Sequence, residues 1–148
     1  MITMREARTQ YFLDNGFGED GGYGAAWVQV KLGPIPLAIP NTPARRRAVR
    51  FHDLHHILTG YGTDWNGEAE IAAWEVASGC KDMWAAWILN LFAMGLKLAI
   101  CPARIFRAFV RGRYSKNLYG MELEPLLDQE VQAVQERMMT RSDPAPAW

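Results

Sequence analysis

The chain has 148 residues, and its sixteen basic and sixteen acidic side chains leave a formal net charge of zero. That length suits one domain with a real core and leaves no room for a second; the zero balance removes the global field that draws a protein to nucleic acid, so no nucleic-acid partner is expected. Two cysteines, Cys80 and Cys101, are too few for a disulfide framework and read as buried thiols of a reducing, cytoplasmic compartment.

The opening residues lack the apolar stretch of a secretion signal. They read as a helix from Met4 to about Asp14, with Thr3 as N-cap and Glu6 three residues later completing a capping box. Gly16, Gly18, Gly21, Gly22 and Gly24 then stop it. This segment reads as a flexible connection or lid, because it lacks the Gly-Lys-Ser/Thr ending of a phosphate-binding loop. Pro34, Pro36, Pro40 and Pro43 impose an extended course, with a short strand at Trp27 to Leu32. A second helix is marked at both ends by Thr42 as N-cap, Pro43 in its first position and Gly60 just past its end. A third begins near Asn66 or Gly67 and reaches Gly79. The run from Met83 to Cys101 is apolar nearly all round, and Pro102 ends or kinks it. A basic amphipathic piece follows, with Arg104, Arg107 and Arg111 opposite Ile105, Phe106, Phe109 and Val110. The last helix starts at about Glu124 and aligns Leu127, Val131, Val134 and Met138; the tail from Ser142 to Trp148 reads as frayed. The expected fold class is therefore all-α, a compact bundle of five to six helices with a Gly/Pro-rich connection between the first and second.

All three histidines of the chain lie between Phe51 and Ile71. An α-helix turns about 100° per residue, so with His52 at zero His56 lies at about 40° and Asp53 at about 100°. Two imidazoles four apart with a neighbouring carboxylate are the means by which one helix offers three donors to one ion, and Glu68 at the start of the next helix supplies a fourth. The bland reading is a polar helix face, or an imidazole held by a carboxylate. His55 lies off that face and reads as solvated or as a neighbour of the ligands. Asp64 reads as a turn or cap residue or a neighbour of the site, and Glu75, seven residues beyond Glu68, as a supporting residue or simply solvated. With no thiolate, the donor set is mixed nitrogen and oxygen and suits a divalent metal, zinc first, with iron or manganese as alternatives.

His52-Asp53-x-x-His56, eleven residues, then Glu68 resembles the His-Asp-x-x-His-(eleven)-Glu pattern of the Coq-four family of ubiquinone biosynthesis proteins. Softer likenesses are "GEAEIAAWE" after the turn, "CPARIF", and "LYGMELEPLLDQEV" before the last helix, so the resemblance runs from about 42 to 140. It implies a short, bacterial-like member with an all-α fold and a divalent metal on His52, Asp53, His56 and Glu68. It also implies action on an aromatic, polyprenylated carboxylic acid: oxidative removal of the ring carboxylate leaving a hydroxyl, or organisation of pathway enzymes around lipid-bound intermediates. A tailoring enzyme for a soluble aromatic acid would keep the same motif.

The remaining expectations concern surfaces. The apolar run reads as a core helix, as an isoprenoid tunnel lined by Trp84, Trp87, Ile88, Leu91, Phe92 and Met94, or as a homodimer interface, and Asn90 and Lys97 argue against a membrane span. The basic face reads either as resting peripherally on an anionic membrane or as solvated and paired with acidic neighbours. Arg45, Arg46, Arg47 and Arg50 make a second basic group on the helix of the histidines, and Arg46 and Arg50, four apart, are candidates for gripping a substrate carboxylate or phosphate. The rival functions are a lipid-binding scaffold with a structural metal, and a metal hydrolase using Glu75 or Asp64 as base.

Overall fold

The computed structural model describes residues 1–32 and 35–138, and they form a mostly helical protein. The reading of Ser142 to Trp148 lies outside these residues. Helix α1 spans Met4–Asn15. Both halves of its capping box form, the Thr3 hydroxyl accepting from the Glu6 N–H and the Glu6 side chain accepting from the Thr3 N–H. After a glycine-rich loop, β1 (Trp27–Leu32) pairs antiparallel with β2 (Ile35–Pro40), Trp27 opposite Pro40. Both strands of a two-stranded ribbon are edges, which is how Pro36 and Pro40 are tolerated in one of them. The Gly/Pro-rich connection thus contains a small hairpin, of which only the first strand was legible.

Helices α2 (Pro43–Thr59) and α3 (Trp65–Ser78) carry the motif. Thr42 and Asp64 are their N-caps, accepting from the Arg45 and Gly67 N–H groups. Helix α4 spans Trp84–Leu98, and α5 spans Pro102–Arg113, with Pro102 opening the second helix rather than merely ending the first. α3 packs most extensively on α5 and α4. At the α3–α5 crossing, a Cβ on Gly112 would stand 2.4 Å from the Trp74 carbonyl oxygen, so glycine sets how close the two helices come. The main core gathers Met4, Phe51, Leu54, Leu58, Trp74, Tyr119, Leu126 and Met138.

Two expectations are corrected. The last helix is two, α6 (Leu123–Leu127) and α7 (Val131–Met138), because the backbone between them pairs with the N-terminal segment. The Met4 N–H donates to Gln129 O and the Val131 N–H to Ile2 O, bonds an uninterrupted helix would have consumed internally. The apolar run is neither an all-round core helix nor an enclosed tunnel. α4 turns Ala85, Ala86, Asn90 and Lys97 inward, while Trp84 and Ile88 are each 60% exposed and Phe92 56%. Small and polar residues fit the close approach to α2 and α3, which leaves the bulky face outside. Of the expected tunnel residues, Trp87 packs against the main core, its Nε1 donating to Lys81 O, and Met94 against a smaller cluster with Ala69, Ala73, Ile105 and Ala108. No described helix is long and apolar enough to cross a membrane.

Candidate metal centre

The centre sits where α2 faces the first turn of α3. The turn between them, Gly60 to Asp64, folds so tightly that a Cβ on Gly67 would lie 2.1 Å from Gly62 O. That approach swings Glu68 over the α2 histidines. His52 Nε2 lies 3.3 Å from Glu68 Oε2 and His56 Nε2 3.4 Å from Glu68 Oε1. The two Nε2 atoms are 3.1 Å apart.

What each ring does with its other nitrogen fixes what Nε2 offers. The His56 Nδ1–H donates to Tyr61 O at 2.9 Å, and the His52 Nδ1–H to Glu75 Oε1 at 3.1 Å. With both Nδ1 protons committed to acceptors, the Nε2 atoms present lone pairs to one point, the tautomer a metal-binding histidine needs. Two lone pairs at that separation repel unless a proton or a cation lies between them. An ion with tetrahedral bonds of about 2.0–2.1 Å separates neighbouring ligands by about 3.3 Å, so the spacing of these three donors fits one divalent cation.

Glu75 is the residue whose role the sequence understated. It is fully buried, and its carboxylate accepts from four side chains: His52, His55 Nδ1–H at 2.6 Å, the Tyr119 hydroxyl at 2.8 Å and the Asn90 amide. Burial alone would raise its pKa, but the charge of His52 and the hydrogen bonds from His52 and His55 hold it well below the usual carboxylate range. His55 is not solvated, as one reading allowed; it is buried, and its Nε2 accepts the Leu118 N–H at 2.9 Å. Burial outweighs Glu75 and lowers its pKa, in keeping with a neutral ring. Burial also opposes charge on His52, yet Glu75 and Glu68 raise its pKa well above the ordinary value. Glu68, itself pushed up by burial, is drawn down to about 2 by its contacts with the His52 and His56 rings.

Asp53, the fourth expected ligand, is buried but stands outside the close trio of His52, His56 and Glu68. Its Oδ2 accepts the Tyr23 hydroxyl at 2.5 Å. Asp64 serves as the α3 cap. Arg46 and Arg50 lie about 120° and 160° around α2 from His52. With Arg47, Phe51, Met121 and Leu123 they line a separate pocket of about 280 Å³. Arg46 donates to Asn41 O and the Arg50 guanidinium lies over the Tyr23 ring. Of the α2 arginines it is Arg45, seven residues before His52, that shares the metal face, a position helical arithmetic gives at about 20°.

Three further residues at the site went unread. Tyr11 stacks on His56 with centroids 5.9 Å apart, Tyr119 supports Glu75, and Asn90 turns from a blemish in an apolar run into a buried donor. The amphipathic signal was present for Tyr11, four residues from Asn15 on a capped helix; for the other two only the tertiary fold reveals the partner. On the basic face, Arg104 forms a bidentate pair with Glu70 at 3.0 and 2.7 Å, and Arg111 donates to Thr59 O, so two of its three arginines tie helices together.

Fold and site together define a mostly helical protein with a His-His-Glu centre suited to one divalent cation, backed by a fully buried carboxylate. No protein-family model matches this chain and no curated protein is similar to it, so the Coq-four resemblance rests on the motif and its spacing.

Proposed function

We propose that the protein is a metal-dependent enzyme acting on an aromatic carboxylic acid, in the manner the Coq-four resemblance implies. One observation carries the reading: two imidazole Nε2 atoms and the Glu68 carboxylate converge within 3.4 Å, with both Nδ1 protons already engaged elsewhere. Zinc, iron or manganese suits that donor set. Bound there, the ion would stabilise charge developing on the ring or carboxylate as carbon dioxide is lost. His52, His56 and Glu68 hold it, and Glu75 fixes the His52 ring and balances its charge. On the side toward α1, Tyr11 stacks on His56 and the Tyr23 hydroxyl reaches Asp53. The hydroxyl that replaces the lost carboxylate requires an oxidant, for which molecular oxygen suffices; zinc itself has no redox chemistry.

Hydrolysis through Glu75 or Asp64 is disfavoured by their settings. Glu75 is buried behind four donors with a depressed pKa, and Asp64 is spent on a helix cap. A second reading draws on the exposed face of α4. Trp84, Ile88, Leu91 and Phe92 form an apolar ridge of the sort that meets lipid or a second copy of the chain. It fits a lipid-presenting scaffold with a structural metal as well as an enzyme of lipid-borne acids. The decisive experiment measures carbon dioxide release from 4-hydroxybenzoate-type acids, prenylated and not, by metal-loaded protein with and without oxygen. Turnover that disappears in His52→Ala/His56→Ala supports the enzyme; bound lipid without turnover on any of these acids supports the scaffold.

A further inference from the structure

The loop from Gly16 to Ala26 is held mostly by itself. The Gly21, Tyr23 and Ala25 N–H groups donate to Gly18, Asp20 and Gly22, and the Asp20 carboxylate accepts from the Gly22 and Gly24 N–H groups. Beyond its first two residues, where the Gly16 and Phe17 N–H groups donate to Leu13 O and Phe12 O and the Phe17 ring meets Tyr11, its ties to the body are these: the Asn41 amide donates to Tyr23 O and Ala25 O at 3.2 and 2.8 Å, the Asn41 N–H donates to Ala26 O, and the Tyr23 side chain reaches inward. The Tyr23 ring stands edge-on to the buried Phe12 ring with centroids 5.6 Å apart, under the Arg50 guanidinium at 5.4 Å, and its hydroxyl ends on Asp53. Gly21 lets the loop lie against Phe12, where a Cβ would come within 2.5 Å of the ring. Near this point the Nε atoms of Arg8 and Arg45 are buried with no hydrogen-bond partner among the described residues. Buried donors left in that condition are uncommon.

A half-buried slot with an aromatic wall, a cation over the ring face and a carboxylate at the far end is built for one kind of group, a phenol. In this structure the loop's own phenol fills it. We propose that the Tyr23 side chain occupies the binding subsite for the aromatic hydroxyl of a phenolic acid, so that the glycine-rich loop is a built-in competitor that the ligand displaces. This rests on the reading of the chain as an enzyme of aromatic acids. The ligand's ring takes the place between Phe12 and Arg50, its hydroxyl donates to Asp53, and its acid group finds Arg8 or Arg45. An acid without the hydroxyl leaves the Asp53 carboxylate with no donor and binds more weakly.

Binding of 4-hydroxybenzoate and of benzoate, measured by calorimetry on wild type, Tyr23→Phe and Tyr23→Ala, tests the idea. The ligand's apparent affinity is reduced by the fraction of molecules in which the slot is filled. Loss of a charge-assisted hydrogen bond to Asp53 therefore tightens binding of both acids about tenfold or more in Tyr23→Ala and less in Tyr23→Phe, with 4-hydroxybenzoate bound more tightly than benzoate in each protein. In wild type, 4-hydroxybenzoate should also speed protease cleavage between residues 16 and 26. Equal affinity in all three proteins, or weaker binding by Tyr23→Ala, overturns the proposal, and Tyr23→Phe decides alone should Tyr23→Ala fail to fold. Metal uptake measured on the same samples separates failure of this inference from failure of the metal reading.

Discussion

Replacing Glu75 by glutamine isolates the role of the buried carboxylate. The variant keeps the volume but exchanges a charged acceptor of four hydrogen bonds for a neutral amide with one acceptor oxygen. The amide oxygen serves His52 and His55, while the amide nitrogen faces the Tyr119 hydroxyl and Asn90, of which the hydroxyl can turn and the amide can flip. Each bond falls from the charged range toward the neutral one, a loss of about 1 kcal/mol apiece. Relief from burying a charge returns part of that, but the depressed pKa of Glu75 shows that the surroundings favour the ionised form. The net loss is about 3 kcal/mol, which for a chain of this length lowers the melting temperature by roughly 6–12 °C. Because Glu75 also fixes the His52 tautomer, metal affinity should fall about 10–100-fold. Thermal unfolding by circular dichroism on chelator-treated protein gives the first number, and competition with a chromophoric chelator gives the second. Glu68→Gln is the contrast: its side chain is 40% exposed, so it should lose metal affinity with a smaller loss of metal-free stability than Glu75→Gln. Wild-type stability and affinity in Glu75→Gln would refute the role assigned to that carboxylate.

Metal binding should release protons, since the ion competes with the proton on His52. The raised His52 pKa means that affinity climbs with pH, up to about tenfold per unit, until His52 is deprotonated in the free protein; a flat profile between pH 6 and 8 would contradict it. In the metal-free protein, the His52 contribution to stability is complete below its unfolded value near 6.5 and is lost as pH rises through the raised folded value. The Glu68 contribution runs the other way, present above 4.5 and lost as pH falls toward about 2; urea midpoints across pH read both. Gly112→Ala should force α3 from α5 and destabilise the fold by about 1–3 kcal/mol, measured by chemical unfolding. Ile88→Glu with Phe92→Glu should leave metal binding intact and abolish any liposome binding or self-association, checked by flotation and analytical ultracentrifugation.

The helix boundaries were legible because the chain marks them chemically. Thr3 and Glu6, Thr42 and Pro43, and Gly60 act through local backbone bonds that need no knowledge of the rest of the fold. The trio of His52, His56 and Glu68 followed from helical spacing plus one short turn. What the sequence hid depends on distant partners. Glu75 looks like any solvated helix carboxylate until Asn90, fifteen residues on, and Tyr119, forty-four residues on, arrive at its Oε2. The break between α6 and α7 arises from pairing with the N-terminal segment across the length of the chain. Hydropathy misled in α4, where an apolar face was taken for a buried one; composition records what a helix carries and not which side its neighbours choose to cover.

The central claim is that His52, His56 and Glu68 hold one divalent ion. Mass spectrometry of the native protein after zinc titration tests it most directly. The account predicts one zinc per wild-type chain and none retained by the folded His52→Ala/His56→Ala variant. Zinc bound equally by both proteins, or by neither, would contradict it.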